Sequence, residues 1–359
     1  MNQKSPKKII SICGSYGKTT LKEILSQVLS VRFNVLETVG NENTPLGISK
    51  LVDKLTAKHD ILLLEFGEFV VGDIAGLCKL FLPNIGIITG INTQHHERMG
   101  GIENAIKCMF EMALFCEILI LNIDDQNVAD NWQNLVKKDQ QVWFYSSQND
   151  SQSSLWFQKA EFDKENLSWK VIIPKENLQN IQNPEKSEIL ENLENTNLTQ
   201  NSVSNLEKNT EKNTENSQNE NMENQGKTAT IISSQKNTPN LRPKLTDLIL
   251  PKTQQTRQSK NLETLENSEN IENSEILETF EINILGEYAV GNLICAVIIG
   301  KNLGMTDLEI RKGLRNVSPI KHRLEPIWNE NSGVLVIDDS YSGNIDGVLE
   351  AIEVLDRLK

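Results

Sequence analysis

Gly14-Ser15-Tyr16-Gly17-Lys18-Thr19-Thr20 decides the fold through what stands on either side of it. Residues 7–13 (KKIISIC) form a β-branched run that stops at the first glycine. On the other side, residues 19–29 place Leu21, Ile24, Leu25, Val28 and Leu29 at helical spacing. Strand, glycine turn and helix, in that order, make the context a phosphate-binding loop requires. Glycines let backbone N–H groups approach phosphate oxygens, and a helix N-terminus favours negative charge. Lys18 adds a point charge at the β and γ phosphates, and the Thr19 hydroxyl can ligate Mg²⁺. Gly14, Ser15, Gly17, Lys18, Thr19 and Thr20 are therefore candidate nucleotide contacts, with ATP and Mg²⁺ the implied ligands. The longer G-x-x-x-x-G-K-T form is not met, because Ile12 stands where its first glycine would be.

Outward from the loop the pattern repeats. Residues 61–64, 85–89 and 118–122 read as strands, and residues 72–81 and 102–115 as helices between them. Strands alternating with helices predict an α/β domain: a P-loop NTPase-like parallel sheet flanked by helices. From Trp143 the chain turns to short strands joined by polar turns. Residues 175–275 are Asn, Glu, Ser, Gln and Thr in near-repeats, too poor in apolar side chains to offset the entropy of ordering, so a disordered insertion is expected. Residues 277–285 resume as a strand that completes the interrupted β region, and residues 290–303 as a helix with Gly304 as its cap. An apolar strand at 334–337 runs into Asp338 and Asp339, and a helix starts at 345. The expected organisation is a central domain in two parts (1–174 and 276–318), the insertion (175–275), and the start of a truncated Rossmann-like domain (319–359). Such a domain would need on the order of 100 further residues.

The net charge of −13 argues against nucleic acid as a non-specific partner, since a phosphate backbone is bound by clustered Lys and Arg. The five cysteines are odd in number, lack C-x-x-C spacing and sit mostly in apolar runs, which suits reduced core residues. No apolar run reaches the roughly 18 residues of a membrane span. The expected location is the cytoplasm, with no membrane partner.

The short loop form G-S-x-G-K-T-T resembles that of the Mur ligases, which join amino acids or peptides to peptidoglycan precursors. The resemblance extends along the chain. Gly40-Asn41-Glu42-Asn43-Thr44-Pro45-Leu46-Gly47 is similar to a substrate-facing segment of the MurF branch, which implies substrate contacts at Asn41, Asn43 and Thr44. Leu64-Glu65-Phe66-Gly67 resembles the strand end whose glutamate binds magnesium. Residues 87–95 (IITGINTQH) resemble the strand and loop that deliver a metal-binding histidine, here His95. Residues 285–292 (LGEYAVGN) are similar to a G-x-H-N-x-x-N helix start, with Tyr288 and Ala289 replacing the usual His-Asn pair and Asn292 retained for the nucleotide. His322-Arg323-Leu324-Glu325 and residues 338–344 (DDSYSGN) look like the entry to the terminal domain. There the resemblance gives Arg323 and Asn344 to the nucleotide and Asp339 to catalysis. It implies an ATP-dependent ligase that adds D-Ala-D-Ala to UDP-MurNAc-tripeptide through an acyl phosphate, with Lys18, Glu65, His95, Arg323 and Asp339 as its catalytic set and Thr19, Glu65 and His95 around the metal.

The residues read on their own terms leave alternatives open. Glu65 follows four apolar residues, where a strand's carboxyl end opens into the crevice α/β proteins use for ligands, although a capping or salt-bridged carboxylate fits equally. His95 and His96 point differently, and only the resemblance selects the first. Asp338 and Asp339 suit either Mg-ATP or a turn, and Arg323 either phosphates or solvent. Met109 stands where Mur ligases carry a carbamoylated lysine, and a thioether is no ligand for a hard cation, so the second metal site of the family is left open here. Lys107 falls on another face of the helix. No segment before residue 7 matches the family's UDP-binding domain. The expectation is that a separately encoded chain completes the ligase or that a stop codon, translated in the source organism, cuts the frame. Two rival functions are another ligase of the superfamily, folylpolyglutamate-type or amino-acid-polymerising, and a non-catalytic nucleotide-binding protein.

Overall fold

The computed structural model describes residues 6–40, 42–92, 99–182, 277–329, 331–341 and 345–359. The first part runs β1 (Lys8–Cys13), α1 (Lys18–Leu29), β2 (Val35–Glu37), α2 (Pro45–Val52), β3 (Ile61–Glu65), α3 (Asp73–Phe81), β4 (Ile85–Ile88), α4 (Ile102–Phe110), β5 (Ile118–Asn122), α5 (Gln126–Leu135) and β6 (Gln141–Tyr145). A short 3-10 turn, Glu111–Leu114, extends α4. All six strands join one sheet in the order β2-β3-β1-β4-β5-β6, and every neighbouring pair is parallel. The chain winds outward from β1 to β2, returns through β3, then crosses to β4 on the other side. The strand order thus reverses between β1 and β4, and at such a point a crevice opens at the carboxyl ends of the strands.

Both faces of the sheet are covered, as the continuous apolar strands require. In β3, Leu62 and Leu64 pack with residues of α3, α4 and α5, whereas Ile61 and Leu63 pack with α1 on the opposite face. The helical face of α1 seals that second side with Leu21, Ile24, Leu25, Val28 and Leu29, all fully buried. Each such side chain contributes about 1.5–3 kcal/mol relative to exposure. Lys22 is buried too, and its ammonium lies 2.8 Å from Glu37 and 2.7 Å from Glu23, tying α1 to the end of β2. All five cysteines are free and buried.

Beyond the sheet come β7 (Lys159–Asp163), β8 (Ser168–Pro174), α6 (Lys175–Gln182), β9 (Leu277–Ile282), α7 (Tyr288–Asn302) and α8 (Asp307–Arg315). β7, β8 and β9 form an antiparallel sheet in which β9 pairs with β8, Val171 opposite Phe280. The strand expected after the low-complexity stretch therefore closes the β region begun before it. One boundary is corrected. The insertion was expected from residue 175, but residues 175–182 form α6, whose Leu178 and Ile181 are buried against the core. Apolar residues three apart gave this helix its inner face, and the surrounding Asn and Gln masked it. Residues 183–275 of that expectation lie outside the described residues. α7 is buried nearly all round, because α1, α6, α8 and strands of both sheets surround it.

The terminal part is an antiparallel pair, β10 (Glu325–Asn329) and β11 (Val334–Asp338), followed by α9 (Ile345–Leu358). β11 and α9 fall where the sequence places them, and β10 was not anticipated. The inner face of α9 sets Val354, Ala351 and Leu358 against Leu285 and Leu324. Arg357 reinforces the contact, 2.8 Å from Glu287 and 5.0 Å above the Trp169 ring. The outer face leaves Ile345, Leu349, Ile352 and Leu355 exposed. No helix among the described residues is long and apolar enough to cross a membrane.

Candidate nucleotide site

The loop after β1 enters the crevice at the reversal point. Gly14 has φ 142°, and a Cβ there would strike the Thr89 hydroxyl at 2.2 Å. Gly17, at φ 76°, is the left-handed residue from which α1 starts, and no side chain caps that helix. Its first N–H groups are thus left for an anion. Lys18 turns back over the loop: its ammonium donates to the Gly14 carbonyl and lies 3.3 Å from Glu68 Oε1. Thr19 and Thr20 occupy the first turn of α1, with Thr20 buried.

The loop after β4 braces this arrangement. Ser15 donates its N–H to the Gly90 carbonyl at 2.7 Å, and the Thr89 hydroxyl donates to the Tyr16 carbonyl. The Tyr16 ring lies over Gly90, where any Cβ would collide with it. Its phenol donates to Asp125 Oδ2 at 2.7 Å, and the same oxygen accepts the Ile91 N–H at 3.0 Å. Asp125 Oδ1 caps α5 through the Val128 N–H at 2.9 Å. One carboxylate therefore joins three elements.

Glu65 closes β3 and is 3% exposed. Its N–H donates to the Thr38 hydroxyl at 2.9 Å, and its Oε1 accepts from Asn43 Nδ2 at 3.3 Å. Glu65 Oε2 and Glu68 Oε2 are both buried without a hydrogen-bond partner. Burial pushes the Glu68 carboxyl up to about 7, against the pull of Lys18, and Glu65 adds repulsion. Buried carboxylate oxygens without partners are costly. Two of them beside a phosphate loop, with the Thr19 hydroxyl nearby in sequence, are hard oxygen donors of the kind Mg²⁺ takes, so the residues present fit the ion.

The other expected residues divide. Asn43 is brought to Glu65, and Thr44 caps α2 by accepting the Gly47 N–H at 3.3 Å. Arg323 and Asp339 line a cavity of about 240 Å³ together with Gly17, Thr20 and Asn292. Arg323 stacks 4.8 Å from the Tyr341 ring, and Asp339 accepts the Leu324 N–H at 3.1 Å. Met109 is fully buried, its carbonyl accepting from Cys13 Sγ at 3.7 Å just before the phosphate loop, and Lys107 is exposed. Asn41, His95 and Asn344 lie outside the described residues. Sequence reading missed Glu68 and Asp125. Glu68 had a usable signal, a second acid three residues past a strand-end acid, whereas Asp125 reads only as an ordinary helix cap.

A parallel sheet whose order reverses beside an uncapped glycine loop, with a lysine and buried carboxylates at the strand ends, defines a P-loop nucleotide-binding domain. Residues 12–184 match the Mur ligase middle domain, so this part of the chain carries that domain. Its curated relatives include UDP-N-acetylmuramoyl-tripeptide–D-alanyl-D-alanine ligases. That of Haemophilus influenzae is 22% identical over 99% of this chain and 56% of its own length. That of Escherichia coli is 29% identical over 41% of this chain and 32% of its own. Among solved structures, a MurF from Acinetobacter baumannii superposes with a TM-score of 0.62 at 19% identity, covering 98% of this chain and 54% of that one. A Thermotoga maritima MurF in complex with ADP gives 0.59 at 17%, covering 98% and 57%. The chain spans little more than half the length of the relatives it matches along its whole extent.

Proposed function

We propose that this chain is the ATP-handling part of a MurF-type ligase, acting in the cytoplasm to join D-Ala-D-Ala to a UDP-MurNAc-tripeptide. The observation that carries the reading is Lys18 and two partnerless buried carboxylate oxygens gathered around an uncapped helix N-terminus.

In the first step a carboxylate oxygen of the tripeptide attacks the γ-phosphorus and ADP leaves, giving an acyl phosphate. The amine of D-Ala-D-Ala then attacks the acyl carbon, the amide forms, and phosphate departs with the former carboxylate oxygen. Both steps spread negative charge over phosphoryl oxygens, so oriented N–H groups and a fixed cation accelerate them. The backbone of residues 14–20 and Lys18 supply those groups. Thr19, Glu65 and His95, with Glu68 next to Lys18, would hold Mg²⁺, which would supply positive charge against the phosphates. Arg323 and Asp339, on the terminal segment, complete the site from its far side. Asn43 keeps Glu65 oriented, a role nearer the metal than the substrate contact its motif implies. Further polypeptide that grips the UDP-sugar and covers the outer face of α9 belongs to the working enzyme, whether encoded in continuity or as a separate chain.

The test uses the working enzyme, this chain completed by that further polypeptide, and tripeptide substrate labelled with heavy oxygen in its terminal carboxylate. The label is expected in the released phosphate, and D-Ala-D-Ala is expected in the product. ATP hydrolysis without label transfer would remove the acyl phosphate, and absence of any ATP or tripolyphosphate binding would remove the reading altogether.

A further inference from the structure

Arg323 leaves the chain from a turn that its neighbours do not favour on their own. His322 and Leu324, on either side of it, both hold left-handed backbone, at φ 61° and 47°. A residue with a side chain is disfavoured there by its own Cβ and persists only where surrounding contacts fix it. Here the contacts come from the end of β11. Asp338 Oδ2 lies 2.8 Å from His322 Nδ1, and Asp339 Oδ1 accepts the Leu324 N–H at 3.1 Å. The Tyr341 N–H donates to the His322 carbonyl at 3.2 Å. Two adjacent acids thus straddle one arginine, because successive residues at a strand end face opposite ways.

The histidine side of this clamp has a defined sense. The Ser340 hydroxyl and N–H, followed by His322, hold the Asp338 carboxyl down at about 2. It is therefore an acceptor only, and His322 Nδ1 carries the hydrogen between them. Neither side chain lines the cavity that Arg323 lines. They are 42% and 22% exposed, and a pair so open to solvent adds little to folding stability. What it fixes is direction. The bond sets the backbone from which the Arg323 guanidinium runs over the Tyr341 ring, 4.8 Å away, to the cavity it shares with Gly17 and Thr20.

Resting on the reading that Arg323 meets the nucleotide, we propose that His322 and Asp338 are positioning residues whose hydrogen bond aims the Arg323 guanidinium at the bound nucleotide. Glycine would hold φ 61° without such a bond. Histidine needs its partner, so the aim of Arg323 depends on a side chain 16 residues further along the chain.

The experiment is calorimetric titration of the full chain with ATP and Mg²⁺, alongside thermal melting. Arg323→Ala is expected to bind ATP about tenfold more weakly, the scale of one charge-assisted hydrogen bond. His322→Ala and Asp338→Ala should lose a similar factor with little change in melting temperature, and His322→Ala should add nothing in the Arg323→Ala background. Two variants should recover much of the loss: Asp338→Asn, whose amide oxygen still accepts from Nδ1, and His322→Gly, which takes the left-handed backbone unaided. A side chain that merely packs predicts the opposite order, with glycine no better than alanine. That order overturns the proposal, as do unchanged ATP affinity in His322→Ala or full additivity with Arg323→Ala. An Arg323→Ala variant that binds ATP like the wild type removes the nucleotide role of Arg323 and the proposal with it, and a wild type that binds no ATP sinks the nucleotide reading itself.

Discussion

The ammonium of Lys18 sits 3.3 Å from Oε1 of Glu68, a carboxylate that burial holds up near pH 7. The pair poises a cation and an acid at the mouth of one loop. Lys18 packs against no apolar core, so Lys18→Ala should cost ATP affinity and leave the fold intact. The expected loss is about 10- to 100-fold, the worth of a charge-assisted hydrogen bond. Glu68→Gln should act differently, because it removes negative charge beside the triphosphate. It should weaken the Mg²⁺-dependent part of ATP binding and leave metal-free binding equal or tighter. Calorimetry with Mg²⁺ and with chelator separates the two, and near-wild-type affinity for Lys18→Ala with Mg²⁺ would refute the loop assignment.

Asp125 makes a second test, since its oxygens serve Tyr16, Ile91 and Val128 together. Tyr16→Phe should cost about 1 kcal/mol of stability, the net worth of one hydrogen bond. Asp125→Ala loses a helix cap and strands two further donors, and about 2–4 kcal/mol is expected. Urea unfolding of both single variants and the double variant measures their coupling. If the two effects add with no coupling, the brace between the loops does not exist in solution.

Stability should also depend on pH through Glu111, whose oxygens accept the Gly72 N–H at 2.7 Å and the Ala75 N–H at 2.9 Å at the start of α3. Burial raises its carboxyl from 4.5 to about 7, opposed by those two N–H groups. The folded state then holds this proton where the unfolded chain has released it. Stability falls as pH rises from about 4.5 to about 7 and levels off above, by a Glu111 contribution on the order of 3 kcal/mol. Glu111→Gln cannot titrate, so its unfolding free energy should decline less across that window. Parallel pH profiles for variant and wild type would show that Glu111 is ionised throughout.

The sheet and its loop were legible because β-branched runs, a glycine turn and helical spacing all act locally. Residues 61–64 and 85–89 could be read as strands without knowing their neighbours. Glu68 and Asp125 were not legible as site residues, because their importance comes from the reversal of strand order, which brings residues 68 and 125 to the same crevice as residue 18. β10 was hidden for a related reason: Glu325, Pro326 and Trp328 do not alternate cleanly, and its pairing with β11 supplies the strand. Thr44 was read as a substrate contact from its motif, and its position before Pro45 also marked the helix cap that the fold shows.

The last prediction turns on where the low-complexity stretch begins. By composition alone, residues 177–272 could be removed at little cost, since a solvated polar segment buries almost nothing. α6 contradicts that choice of boundary. Leu178 and Ile181 are 1% and 2% exposed, and the Asn177 amide donates to the Trp156 carbonyl at 3.1 Å. Losing two buried aliphatic side chains removes roughly 3–6 kcal/mol of burial, a large share of the stability a domain has. Deleting residues 177–272 should therefore lower the melting temperature sharply, whereas replacing residues 184–272 with a flexible linker should leave it nearly unchanged. Equal melting temperatures for the two deletions would mean that α6 adds nothing to the core. A large loss from the shorter deletion would mean that residues 184–272 contribute stability their composition does not reveal.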